Sequence, residues 1–394
     1  MQRALADIRV LDITQVMAGP FCAMQLCDMG ADVIKVEPPG GDASRRWDDP
    51  QKTDSVAFNG VNRGKRGMVV DLKTPDGAAV VRRLASSCDV LIENYRPGVM
   101  ARFGLDYPTL REEVPRLIYA SISGYGQTGP QAEKGGFDLI AQGVSGIMSV
   151  TGESGGLPVK AGVPVTDVGA GLLALSGILA ALYYRTRSGH GQHVDTSLVE
   201  SGVAFSVWEA SEYFATGEEP RPCGSAHRLI APYQAIRCED GFITVGTAND
   251  RLFSRFSQVL GHPEWVESTE FGTNAQRMAH TDMLIDQIEA ITKTAPRSHW
   301  LERFEASGVP CGPINSYSEV LTDPQILARE MVVDTAHPTL GSIKSLGTPI
   351  KLSETPLDPR RPAPLLGQHT DDILAEIGYD EEAISRLRGL GAVG

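Results

Sequence analysis

From residue 8 onward the chain alternates short runs rich in β-branched residues with stretches of helical periodicity, which confines it to parallel strands joined by crossover helices. Strands are expected at 9–13 and 32–37, with a helix at 21–29 between them that Gly30 ends. The pattern repeats with a strand at 68–72, a helix at 75–87, a strand at 90–94, a helix near 107–114 and a strand at 117–122. Ligands of such sheets lie outside the carboxyl ends of the strands, so segments 15–20, 37–42, 73–74 and 94–98 are expected to converge there. Residues 37–66 include Pro38, Pro39, Gly40 and Gly41 and show no clear periodicity, which predicts a long loop over a ligand.

Past an apolar helix at 168–184 and a linker around 220–224 the pattern changes. Runs at 233–237 and 242–246 flank Glu239-Asp240-Gly241, a hairpin signal. Helices near 250–260, 275–292 and 298–307 complete a smaller α+β domain. The fold class is therefore α/β, a Rossmann-like parallel-sheet large domain with a smaller α+β domain. Its expected parts are 1–200, a linker at 201–225, the small domain at 226–316 and a tail at 317–394.

Lys and Arg number 36 against 49 Asp and Glu, and the net charge of −13 opposes adhesion to nucleic acid or anionic lipid. A polyanionic ligand then needs a local basic pocket. The longest nonpolar run, 168–184, has 17 residues, short of the roughly 20 that span a bilayer, so no membrane segment is expected. The opening residues lack the apolar core and cleavage site of a signal peptide. Six cysteines without CxxC spacing or histidine partners indicate reduced thiols rather than disulfides or a zinc site. A cytoplasmic protein with no metal is the expectation.

Asp167 stands immediately before the apolar helix. It is expected to cap that helix, and a carboxylate held at a helix start is ionised, oriented and close to free N–H donors. Those are also the properties of a carboxylate nucleophile whose attack on a carbonyl creates an oxyanion. Gly169-x-Gly171-x-x-Ala174, followed at a distance by Asp195, competes as a loose dinucleotide fingerprint, but close helix packing explains the glycines equally well. Arg63, Lys65 and Arg66 form either a solvated face or a phosphate site. Asn94, Tyr95, Arg96 and Arg102 place an amide, an aromatic plate and two cations at one strand end, a combination suited to an adenine nucleotide. Asp138 is expected to cap the helix after Gly135-Gly136-Phe137. His227 and Arg228 lie in a small-residue loop. No Gly-x-Ser-x-Gly, His-Glu-x-x-His or Walker pattern occurs.

The chain resembles the family III CoA-transferases, whose best-known member is formyl-CoA transferase. The resemblance rests on Val10-Leu11-Asp12-Ile13-Thr14-Gln15-Val16-Met17-Ala18-Gly19-Pro20, Gly30-Ala31-Asp32-Val33-Ile34-Lys35-Val36-Glu37, Glu93-Asn94-Tyr95-Arg96-Pro97-Gly98 and Val165-Thr166-Asp167. It continues in Gly308-Val309-Pro310-Cys311-Gly312-Pro313 and Pro364-Leu365-Leu366-Gly367-Gln368-His369-Thr370. It implies that Asp167 is the catalytic aspartate, relaying CoA through mixed anhydrides and an aspartyl-CoA thioester. No tightly bound cofactor is implied, since CoA thioesters are the substrates. Val16, Ala18, Val70, Lys73, Asn94, Tyr95 and Arg102 match CoA-contacting positions. Residues 1–200 would form the CoA-binding part, the tail would return to it, and two chains would interlock as a homodimer.

Met17 stands where formyl-CoA transferase has Gln, and Phe137 where it has Tyr, which makes oxalate and formyl-CoA doubtful substrates. Phe137 also occupies the position of the histidine that the related 2-methylacyl-CoA racemases need. The loop at 224–235 looks more like the branch that takes succinyl-CoA as donor and a C4 to C6 dicarboxylate such as malate, itaconate, mesaconate or glutarate as acceptor. Arg46, His227 and Arg228 are candidates for the distal carboxylate, with Met17 and Phe137 lining the acyl site. An acyl-CoA racemase, a nicotinamide-dependent oxidoreductase and a noncatalytic CoA-binding protein are the alternatives.

Overall fold

The computed structural model describes residues 3–47 and 55–394. Six parallel strands, β1 (Arg9–Asp12), β2 (Asp32–Glu37), β3 (Arg66–Val69), β4 (Val90–Glu93), β5 (Ile118–Ser123) and β6 (His193–Ser197), form one sheet in the order β3-β2-β1-β4-β5-β6. Alternate side chains go to opposite cores. Leu11, Ile34, Leu91 and Tyr119 pack with the Pro75–Ala85 helix and with Ile373, Leu374, Ile384 and Leu387 of the chain's end. Val10, Val33, Val90, Ile92 and Ile118 pack beneath the Ala18–Asp28 and Val165–Ser188 helices. Both faces are covered, so the strands read as continuous apolar runs. The strand order reverses between β1 and β4, which opens a crevice at their carboxyl ends.

Two compact units are formed. The larger contains 1–147, 160–211 and 324–394; the smaller contains 148–159 and 212–323. Residues 148–159, which the sequence reading placed in the large domain, group with the smaller unit. Within that unit β7 (Tyr233–Cys238), β8 (Gly241–Gly246) and β9 (Cys311–Pro313) make an antiparallel sheet around Phe253, Phe256, Trp265, Trp300 and Phe304. The tail adds the β10 (Val332–His337) and β11 (Gly341–Leu346) hairpin. Val393 bridges to Val70 at the end of β3.

Two expectations are corrected here. The stretch 37–66 is structured where it is described, with a 3-10 turn at Ala43–Arg46 and a helix at Val56–Asn62. The basic cluster is neither a solvated face nor a phosphate site. Lys65 is buried against Asp12 at 2.8 Å, Arg63 makes paired bonds to Asp28, and Arg66 pairs with Asp32 and Glu376.

The Val165–Ser188 helix has 24 residues, longer than the nonpolar run, and is apolar enough by length and composition to cross a membrane; half of its most apolar window is buried as core. It meets the Ala18–Asp28 helix at Gly171, where an added Cβ would stand 2.7 Å from the Ala18 carbonyl oxygen. The dinucleotide reading of these glycines fails on context, because the helix follows irregular chain and not a strand.

Candidate active site

A cavity of about 270 Å³ opens at the strand ends of the larger unit, lined by residues 15–18, 94–97, 122–124 and 134–137 with Asp167 and Leu198. The parallel sheet explains the convergence. β1, β4 and β5 lie side by side, and the chain leaving each one turns over the same edge. Val16, Met17, Ala18, Asn94, Tyr95, Phe137 and Asp167 are thereby brought together.

Asp167 does not cap its helix. Pro164 is the cap residue and Asp167 lies in the first turn, third in the helix. The cap is supplied from elsewhere. Asp138 Oδ1 accepts the Thr166 N–H at 3.0 Å and the Thr166 hydroxyl at 2.7 Å. Asp138, expected to cap its own helix, starts the Asp138–Val144 helix without a side-chain cap bond. Asp167 is left half-buried. Desolvation, and then repulsion from Asp138, push its carboxyl up to about 6. A carboxylate in that state is ionised at neutral pH yet poorly stabilised by its surroundings, as suits a nucleophile.

Gln15 is held from two sides. Its N–H donates to Asn94 Oδ1 at 2.8 Å and its carbonyl accepts from Asn94 Nδ2 at 2.7 Å. The Asn94 amide, expected to face a nucleotide, is thus committed to the chain, although the residue lines the cavity. The Tyr95 hydroxyl accepts from Gln15 Nε2 at 3.1 Å. Beneath it the buried Glu93, pushed up to about 7 by desolvation, accepts the Tyr95 N–H at 2.8 Å.

Lys73 and Arg102 lie apart from this group, lining a second cavity of about 400 Å³ with Thr74, Arg82 and Phe103. Sequence reading missed Arg82, whose signal was only a cation on the exposed side of a helix. Val70 lines neither cavity: it is fully buried and offers a ligand no side-chain surface. Arg46 is exposed, donates to the Gly40 carbonyl at 3.2 Å and is not in the wall around Asp167. His227 and Arg228 line a cavity of about 500 Å³ within the smaller unit, beside Glu153, Cys223 and Asp282. The cations that do line the Asp167 cavity are Arg96 and Lys134. Arg96 packs against Gly135, where a Cβ would stand 2.5 Å from its guanidinium. Among the described residues no cluster of His, Cys, Asp and Glu is arranged to hold a metal ion.

Residues 5–370 match the model of CoA-transferase family III. Succinyl-CoA:glutarate CoA-transferase of Homo sapiens is 41% identical over 394 residues, covering 99% of this chain and 90% of that one. Succinate--glutarate CoA-transferase of Agrobacterium fabrum is 42% identical over 381 residues, covering 95% of both chains. The crystal structure of a CAIB/BAIF family protein from Brucella suis superposes with a TM-score of 0.86 at 38% identity, covering 96% of this chain and 100% of that one.

Proposed function

The chain belongs to CoA-transferase family III, and from that premise we propose that it moves CoA from succinyl-CoA to a C4 to C6 dicarboxylate, glutarate foremost, through Asp167. The observation that carries the reading is the half-buried, electrostatically raised carboxylate of Asp167 in the same cavity wall as Val16, Met17 and Ala18. Asp167 attacks the thioester carbonyl; the C–S bond breaks, giving an aspartyl-succinyl anhydride and CoA thiolate. The thiolate attacks the aspartyl carbonyl, forming aspartyl-CoA and releasing succinate. The acceptor carboxylate then displaces CoA to form a second anhydride. Attack of the thiolate on its acceptor-side carbonyl gives the new CoA ester and restores Asp167. The steps balance without water or an external proton donor, so a cavity that keeps water from the anhydrides serves them.

The distal carboxylate of the acceptor needs a partner once desolvated. Arg96 and Lys134 are the proposed partners, in place of Arg46. Lys73, Arg102 and Arg82 would hold the phosphates of CoA, making the larger unit the CoA-binding domain. Leu172, Leu173, Tyr183, Val203, Val207 and Trp208 stand exposed on the larger unit. An apolar surface of that extent supports a homodimer, which the light-scattering mass in solution tests. Six free cysteines, four of them buried, suit a reducing compartment such as the cytoplasm.

Mixing the protein with succinyl-CoA and a panel of acids, then weighing the new CoA esters, tests the activity. Borohydride trapping should label the peptide containing Asp167. Transfer that persists in Asp167→Ala overturns the mechanism.

A further inference from the structure

Val16 has a φ of +70° and, with Glu330, is one of two non-glycine residues in the left-handed region among those described. β-Branched side chains resist that conformation, and it persists only where neighbours impose it. The neighbours are identifiable. Thr14 is tied down by Lys35, whose Nζ donates to the Thr14 carbonyl at 2.5 Å. Gln15 is fixed by the Asn94 amide. The Val16 N–H donates to both carboxylate oxygens of Asp42, at 3.1 and 3.4 Å.

Asp42 is itself clamped. Its Oδ2 accepts from Lys35 Nζ at 3.3 Å, and its Oδ1 accepts from the Ser44 N–H at 2.9 Å and hydroxyl at 2.8 Å. Neither Asp42 nor Lys35 has exposed side-chain surface. Burial opposes the charge on Asp42, but Lys35 and the donors of Ser44 and Val16 outweigh it and hold the carboxyl below its ordinary range. Asn94 fixes the residue before the strained one, and Asp42 fixes the direction in which the chain leaves it. Helix packing alone does not account for a charged pair sealed under this turn.

We propose that Asp42, clamped by Lys35, is a positioning residue for CoA transfer, holding Val16 left-handed so that Val16 and Met17 keep their places in the wall of the Asp167 cavity. The inference rests on the reading that acyl exchange occurs at Asp167.

Asp42→Asn puts an NH2 where Oδ2 meets two donors, Lys35 and the Val16 N–H. It is expected to lower kcat for exchange between succinyl-CoA and glutarate about tenfold or more, because small misplacements in a positioned site cost rate. The KM for succinyl-CoA should move less than about threefold, since the CoA-binding cations are untouched. Val16→Gly is the discriminating background, because glycine adopts this φ without steric cost. The loss that Asp42→Asn causes, measured again in the double variant with Val16→Gly, should shrink there at least about fivefold. Where Asp42→Asn does not accumulate as folded protein, Asp42→Glu keeps the charge beside Lys35, displaces the carboxylate from Val16 and is measured the same way. A kcat within about twofold of wild type, or equal fractional losses in both backgrounds, overturns the role of Asp42. Asp167→Ala run in parallel separates the two failures: normal turnover there brings down the site itself, whereas loss there with equal Asp42 losses removes the positioning role alone.

Discussion

Asp167→Asn should make the protein inactive and more stable at once. The carboxyl sits at about 6 instead of the ordinary 3.8 because burial and Asp138 disfavour its charge. At 1.36 kcal/mol per pH unit that rise costs the folded state roughly 3 kcal/mol once the group is ionised. The sign follows from proton uptake. Between about pH 4 and 6 the folded chain holds the proton more tightly than the unfolded one, so wild type loses stability as pH rises through that window. The cost is full above about pH 7 and fades below about pH 4. Asn keeps the shape and removes the charge, but its amide is desolvated too, so a net gain of about 1 to 2 kcal/mol is expected at about pH 7.5. That corresponds to a rise of a few degrees in Tm. Urea or thermal unfolding of both proteins from about pH 4.5 to 7.5 should show a difference that grows with pH, while turnover of the variant drops by at least about a thousandfold. The Asn side chain can hydrolyse slowly to Asp, so turnover is read on fresh protein. An Asn variant no more stable than wild type at about pH 7.5 would refute the claim that the site holds its nucleophile at an electrostatic cost.

The pH profile of kcat/KM should fall as pH drops through about 6, where Asp167 becomes protonated. Asp138→Asn, which keeps an acceptor for the Thr166 N–H but removes the repelling charge, should move that limb to lower pH. Lys73→Ala and Arg102→Ala should each weaken CoA binding by roughly 1.5 to 3 kcal/mol if the phosphate contacts are well formed; calorimetry would show the wild-type affinity falling with salt, and unchanged affinities would make them a solvated face. Arg96→Ala and Lys134→Ala should raise the acceptor KM for glutarate at least about tenfold more than for butyrate, whereas Arg46→Ala should leave that ratio alone. Lys65→Met, which strips the buried Asp12 of its hydrogen-bonded cation, should cost about 3 kcal/mol in urea unfolding.

What the sequence displayed was decided by periodicity. The alternation of β1 through β5 with helices is a repeating signal, and it placed segments 15–18 and 94–97 at one edge with Asp167 recognisable before an apolar helix. Ionic roles were less visible, because a charge pattern does not say which charges are sealed in. Lys65 and Arg63 looked like a surface cluster until folding set Asp12 and Asp28 against them. Lys35 did carry a signal: it shares the strand face of Val33, so a cation in the middle of β2 had to be buried and paired. The capping of one helix by Asp138 from another, and the choice of Arg96 over Arg46 in the cavity wall, are tertiary facts with no local spacing to announce them. The boundaries of the smaller unit were obscured likewise, since 148–159 is separated in sequence from 212–323 by residues 160–211 of the larger unit.

Where Gly171 lets the helix that carries Asp167 rest on the Ala18 carbonyl, the gauge of the site is set by main chain against main chain. A methyl group there would act as a shim, prising Asp167 away from the 15–18 segment. Gly169 adds a second tight fit, with Phe205 only 2.5 Å from where its Cβ would stand. Such a frame has little tolerance, and on the proposed reading substrate range would be retuned by trimming the removable furniture in the cavity wall, Met17 and Phe137, while the frame stays put. Descendants of this chain with new acceptors should therefore differ at 17 and 137 long before they differ at 169 or 171.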